Sequence, residues 1–257
     1  MKEDQVTELD DEPTEQRGVR SVIRALNLLS AAARGSRTLT ELAGVAGVSL
    51  STASRLLATL RMADFLEQDK DGQFVPGPEL TALLYAGDQW SAIRKLAGEA
   101  VARLRDQLDE TVAFFVRSGN DRVCIESAES GRLVRRVCHP GERGPVYLGA
   151  AGKALIAFSN AEHGYLGLPP GTDEFKTESG AVRTLADLRA ECAVIRERGI
   201  AYSGRESTEE SWAVAAPVFR DDVLLGVLAV VVPMTRSGEQ YVENIQAALL
   251  RAAANSY

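Results

Sequence analysis

Apolar positions recur along this chain with two periods, and the change from one to the other divides it. After Val19 they fall at Val22, Ile23, Leu26, Leu28 and Leu29, the three-to-four spacing of one helix face. Thr38 followed by Glu41 predicts a capping box. It opens a short second helix carrying Leu42, Ala43 and Ala46, and Gly47 supplies the left-handed residue that ends it. Ser49 or Ser51 then caps a third helix whose inner face is Ala53, Leu56, Leu57 and Leu60. Short strands at 65–68 and 73–75 flank Asp69-Lys70-Asp71-Gly72, and Asp-Gly between strands predicts a hairpin. An apolar helix from Pro78 through Leu84 leads to Gly87. Short helix, glycine turn, second helix and hairpin make a winged helix-turn-helix.

Beyond it the pattern alternates between helix and strand. Residues 93–108 read as a helix with Leu96, Ala100, Val101 and Leu104 on one side. Strands are predicted at 112–117, 122–127, 133–138, 212–219 and 223–232. Helices are predicted at 149–158, at 184–198 behind a Thr184–Asp187 cap, and at 240–254. Strands interspersed with flanking helices give an α+β domain. The expected organisation is a tail at 1–16, a winged helix-turn-helix at 17–77, a linker helix at 78–90 and a second domain at 91–257.

Charge sharpens this division. The 257 residues carry a net charge of -7, which argues against indiscriminate nucleic-acid binding, but DNA responds to local fields. Residues 1–16 hold seven acids against Lys2 alone and read as a disordered, solvated tail. Residues 17–62 reverse the sign, with seven arginines against the single acid Glu41. Phosphate binding needs such a local positive surface. The outward side of the third helix is Ser49, Ser51, Thr52, Ser54, Arg55 and Thr59. Short hydroxyls and one arginine permit close approach to a groove, with hydrogen bonds to base edges and phosphates. Arg55 suits a bidentate guanine contact or a phosphate clamp. Arg20, Thr38 and Lys70, the last at the hairpin tip beside Asp69 and Asp71, complete the set expected to contact double-stranded DNA.

Other chemistries find little support. Cys124, Cys138 and Cys192 form neither a disulfide framework nor a zinc pattern, which fits a reducing cytoplasm. The run 223–234 is too short for a membrane span. Gly149-Ala150-Ala151-Gly152-Lys153 is not a phosphate loop, because Tyr147 and Ala154 stand where glycine and Ser or Thr are required. Glu206, Glu209 and Glu210 lack an acid-base partner or nucleophile motif. No catalytic residue, metal or cofactor is expected. The competing reading, an enzyme or ligand-binding protein whose winged helix contacts other proteins, has the local positive charge and the missing catalytic constellation against it.

Three runs carry a family resemblance. They are Val19-Arg20-Ser21-Val22-Ile23-Arg24-Ala25-Leu26; Leu39-Thr40-Glu41-Leu42-Ala43 with Gly47-Val48-Ser49-Leu50-Ser51-Thr52-Ala53-Ser54-Arg55-Leu56-Leu57; and Gly149-Ala150-Ala151-Gly152-Lys153-Ala154-Leu155. In this order they resemble the IclR-type (isocitrate lyase regulator) bacterial transcription factors. The resemblance implies a GAF-like effector domain, an antiparallel sheet with flanking helices. It also implies a homodimer or homotetramer on a pseudo-palindromic operator, with affinity altered by a small-molecule effector, an organic acid. Carried over by position, the effector site comprises Leu133, Arg136, Ala150, Ala151, Ser203, Ala213, Ala229 and Val231. Where some members place Asp, Cys and Ser, this chain has small or apolar groups. That departure implies a larger, more apolar acid, its charge held by Arg136 or by the helix terminus at Ala150.

Overall fold

The computed structural model describes residues 19–35, 37–86, 88–159, 167–168 and 171–254. The acidic tail, Arg17 and Gly87 lie outside the described residues. The chain divides between Asp88 and Gln89 into two compact units.

The first unit contains α1 (Arg20–Ala33), α2 (Leu39–Ala46), α3 (Leu50–Met62), β1 (Leu66–Gln68), β2 (Phe74–Pro76) and α4 (Pro78–Ala86). Its start signals work as local chemistry dictates. Thr38 Oγ1 accepts the Glu41 N–H, and Glu41 Oε2 accepts the Thr38 N–H, closing the capping box of α2. Gly47, at φ 61°, ends α2, and Ser49 rather than Ser51 caps α3 by accepting the Thr52 N–H at 3.2 Å. The chain turns through 104° between α2 and α3, within the range of about 90–120° found in helix-turn-helix pairs. Leu28, Ala31, Leu42, Ala53, Leu57 and Leu66 meet in the small core.

The apolar stripe of α1 is covered over only part of its length. Val19, Val22, Ile23 and Leu26 are 49–65% exposed, and the buried side of the helix is Leu28, Ala31 and Ala32. Periodicity identified an apolar stripe but not what covers it: α2 and α3 pack against the C-terminal half of α1, leaving the first two turns bare.

The second unit is built on a six-stranded antiparallel sheet in the order β5-β4-β3-β10-β9-β8. Its strands are β3 (Thr111–Ser118), β4 (Asp121–Ala128), β5 (Arg143–Pro145), β8 (Ala201–Gly204), β9 (Ser211–Arg220) and β10 (Val223–Pro233). A separate hairpin pairs β6 (Glu174–Lys176) with β7 (Val182–Thr184). Residues on opposite faces of the sheet enter different cores. Phe114, Trp212, Val214, Leu228 and Val230 pack under α5 (Asp88–Leu108) and α8 (Glu239–Ala254). Ala113, Ala213, Ala215, Val227 and Ala229 face α6 (Gly149–Phe158) and α7 (Leu185–Arg198). Covering both faces explains why β9 and β10 read as nearly continuous apolar runs.

One sequence expectation fails here. Residues 133–138 form no strand. Their segment is fastened to the sheet by side chains instead: Ser130 Oγ donates to Asp109 O at 2.8 Å, and Thr111 Oγ1 donates to Arg136 O at 2.5 Å. The short strands β5, β6, β7 and β8 gave no signal of their own, since three or four residues cannot establish a period.

Candidate functional site

On the first unit, α3 presents Ser51, Ser54, Arg55 and Thr59 exposed and Thr52 half-buried, while Ala53, Leu57 and Leu60 anchor the opposite side. Not all the hydroxyls are idle. Ser49 Oγ serves as the helix cap and donates to Thr52 Oγ1 at 2.9 Å, and Thr59 Oγ1 donates to Arg55 O at 3.0 Å. Arg55 has no ion pair or side-chain hydrogen bond to any described residue. Arg20 and Lys70 are likewise exposed, and Thr38 sits at the N-terminus of α2. Asp69, beside Lys70, turns its Oδ1 inward to the N–H groups of Asp71 and Gln73, both at 2.9 Å. The turn thus absorbs one of the two acids that flank the lysine.

On the second unit, a cavity of about 90 Å3 opens between the α6 N-terminus and the sheet. Seven of the eight expected effector residues line it: Arg136, Ala150, Ala151, Ser203, Ala213, Ala229 and Val231. Leu133 does not. It is 99% exposed, because its segment leaves the sheet as a loop, with Arg132 and Arg135 drawn to Asp109 and Glu129. The expectation of an apolar lining is also corrected. Arg122, Glu142, Arg143, Ser207 and Thr208 line the cavity too, so polar groups absent from the familiar positions arrive from β4, β5 and the turn after β8.

The turn of glycines and alanines that opens α6 is shaped by close packing. A Cβ on Gly152 would stand 2.2 Å from the Val146 carbonyl oxygen, and one on Gly149, at φ +78°, 2.3 Å from Ser207 Oγ. Lys153 points inward and is only 1% exposed. Its Nζ donates to Glu191 Oε1 at 2.5 Å, Glu206 Oε1 at 2.6 Å and Tyr202 O at 3.0 Å. Glu206 therefore does have a partner, which sequence reasoning missed. Its other oxygen accepts the Gly149 N–H at 3.1 Å, so the first amide of α6 is already occupied.

Arg122 is the other group that the sequence did not bring forward. Its Nη1 donates to Pro145 O at 2.7 Å and Leu148 O at 2.8 Å, and its Nη2 to Ser207 Oγ at 3.2 Å. No carboxylate lies within ion-pair distance of it among the described residues. Burial lowers its pKa, opposed by the more distant charges of Glu142, Asp121 and Glu206. The cysteines are unsuited to redox chemistry. Burial pushes the Cys124 thiol up to about 12 and those of Cys138 and Cys192 up to about 11, so no thiolate is at hand near neutrality.

A helix-turn-helix joined to a sheet domain with a polar cavity defines a regulator that reads DNA with one unit and offers a small-molecule site in the other. Comparison with known proteins agrees. Residues 21–70 match the IclR helix-turn-helix domain, and residues 89–256 match the bacterial transcriptional regulator IclR C-terminal domain. The HTH-type transcriptional repressor AllR of Salmonella typhimurium is 28% identical over 82% of this chain and 78% of its own length. The crystal structure of an IclR transcriptional regulator from Alicyclobacillus acidocaldarius superposes with a TM-score of 0.77 at 26% identity, covering 93% of this chain and 98% of that one. An IclR homolog from Microbacterium hydrocarbonoxydans, crystallised with 4-hydroxybenzoate, shares the fold at a TM-score of 0.74 and 20% identity, over 91% and 98% of the two chains. The chain belongs to the IclR family of bacterial transcriptional regulators. Among the described residues no single helix is long and apolar enough to cross a membrane.

Proposed function

We propose that the protein is a cytoplasmic regulator, without enzymatic activity, that binds a pseudo-palindromic operator as a homodimer or homotetramer. The winged helix-turn-helix at 17–77 enters the duplex with α3, the segment 78–90 links, and 91–257 holds an organic-acid effector that alters operator affinity. The observation that carries this reading is the division of α3: its apolar side is locked into a core, while Arg55, Ser51 and Ser54 are exposed on the other side. Arg20, Thr38 and Lys70 add contacts around the groove. The bare stripe of α1, at i, i+3, i+4 and i+7 from Val19, meets the same stripe of a second copy. Such an isologous contact supplies the twofold symmetry that a pseudo-palindrome requires.

The effector cavity takes its ligand among Arg136, Ala150, Ala151, Ser203, Ala213, Ala229 and Val231. With about 90 Å3 available, against about 150 Å3 for an apolar cavity that binds benzene, it suits a small acid and not the larger, more apolar one expected from sequence. A mobility-shift titration tests the DNA reading. Arg55→Ala should weaken operator binding by about 1–3 kcal/mol if the side chain reads a base. Unaltered affinity for operator and for random duplex alike would remove α3 from the recognition role.

A further inference from the structure

We propose that the effector's carboxylate is held by the Arg122 guanidinium, with the Ser207 hydroxyl beside it, and not by the Gly149 amide at the start of α6. This inference rests on the cavity being an effector site. Three observations lead to it. First, the leading amide of α6 is spoken for: Glu206 accepts the Gly149 N–H and is itself fixed by Lys153, so a carboxylate approaching that amide meets one already in place.

Second, room has been made for the Arg122 guanidinium. A Cβ on Gly144 would lie 2.9 Å from its Cζ and Nη2, and one on Gly149 would lie 3.9 Å from its Cζ. Glycine on both sides lets β5 and the α6 turn close on the flat group and fix its orientation. Its hydrogen bonds to Pro145 O, Leu148 O and Ser207 Oγ hold it there, facing the cavity it lines.

Third, its charge is uncompensated at close range. The other cations lining the cavity differ from it. Arg143 is paired with Asp121 at 3.0 Å, and Arg136 is half-buried on a loop outside the sheet. A desolvated guanidinium with neutral partners favours an anion strongly, and charge-assisted bonds are the strong ones. The ligand class is a small carboxylic acid, with its charged end at Arg122 and its remainder against Ala213, Ala229 and Val231.

The test uses the full chain labelled with 15N-arginine and 15N-alanine, with acetate as the minimal carboxylate probe and acetamide as its neutral match. Acetate should shift the Arg122 Nε–H signal saturably, and acetamide should not. Arg122→Gln should weaken acetate binding, read at the Ala213 and Ala229 amides, by about tenfold or more. Arg136→Gln should change it by less than about fivefold. The wild-type titration stands even if Arg122→Gln fails to fold. Movement of the Ala150 and Ala151 amides with Arg122 silent would overturn the anchor while leaving the cavity as the effector site. Acetate leaving every cavity signal unmoved would overturn both, and the operator titration with Arg55→Ala would still stand apart from either result.

Discussion

The two units treat positive charge in opposite ways. On α3 and the wing, Arg55 and Lys70 are exposed and pair with no acid among the described residues. In the sheet domain, Lys153 and Arg236 are drawn into the fold and matched to carboxylates. Lys153 sits between Glu191 and Glu206, and Arg236 grips the fully buried Glu110 with two bonds of 2.6 Å while Tyr241 donates to the same carboxylate. A charge kept in water costs little to maintain and is ready for a polyanion; a charge withdrawn from water must be matched or it destabilises the fold. The contrast separates surface meant for a partner from interior meant for the protein itself. Arg122 is the case that breaks the rule, since it lies inside but is matched only by neutral groups.

The largest effect should come from the matched interior. Lys153→Met leaves Glu206 and Glu191 facing each other without their cation, and should destabilise the second unit by about 3–5 kcal/mol. The urea midpoint of the sheet domain checks this, and an unmoved midpoint would mean the carboxylates find other donors. Next is the bare stripe of α1. Leu26→Glu places a charge on the face proposed to meet a second copy, and should weaken self-association roughly thirtyfold, as read by sedimentation at low protein concentration. A wild-type chain that sediments as a monomer would remove the stripe from assembly altogether.

Smaller effects sharpen the DNA-facing half of the comparison. If Arg55 clamps a phosphate, Arg55→Ala should reduce the log–log salt slope of operator binding by about 0.9. If it reads a guanine, the slope should hold and discrimination at one base pair should relax. The smallest expected effect is at the α2 cap. Thr38→Ala should cost about 1 kcal/mol, seen as a lower thermal midpoint of the first unit.

The same cap sets an acid sensitivity. The Thr38 and Arg37 backbone N–H groups hold the Glu41 carboxyl below its ordinary 4.5, and the Thr184 backbone does the same for Asp187 below 3.8. A carboxyl depressed in the folded state binds fewer protons there than in the unfolded chain. Its contribution is therefore complete above the ordinary value and is lost as pH falls through the lowered one. The stability difference between Glu41→Gln and the parent should accordingly be smaller at about pH 3 than at about pH 6. An equal difference at both would assign the cap to the hydroxyl alone.

What the sequence could show followed the range of the interactions. Both capping boxes, the Gly47 turn and the Asp-Gly hairpin are made by residues within a few positions of one another, and each was legible. The small residues at Ala213 and Ala229 were legible as departures from a family pattern. Arg122 was not, because its partners stand 23, 26 and 85 positions away. Lys153 and Glu206, 53 positions apart, were invisible as a pair for the same reason. Leu133 misled because it was placed by family position on a strand, and its segment is instead a loop pinned by side chains. The bare start of α1 shows the complementary limit, since a periodic stripe announces a contact without naming its owner.

Four alanines line the cavity, Ala150 and Ala151 from the helix and Ala213 and Ala229 from the sheet. Exchanging any one for valine would add about two carbons while leaving strand pairing and helix axis where they are. Ligand size can then drift one residue at a time in the course of evolution, with the DNA-reading half untouched, so a new metabolite can be adopted without inventing a new scaffold.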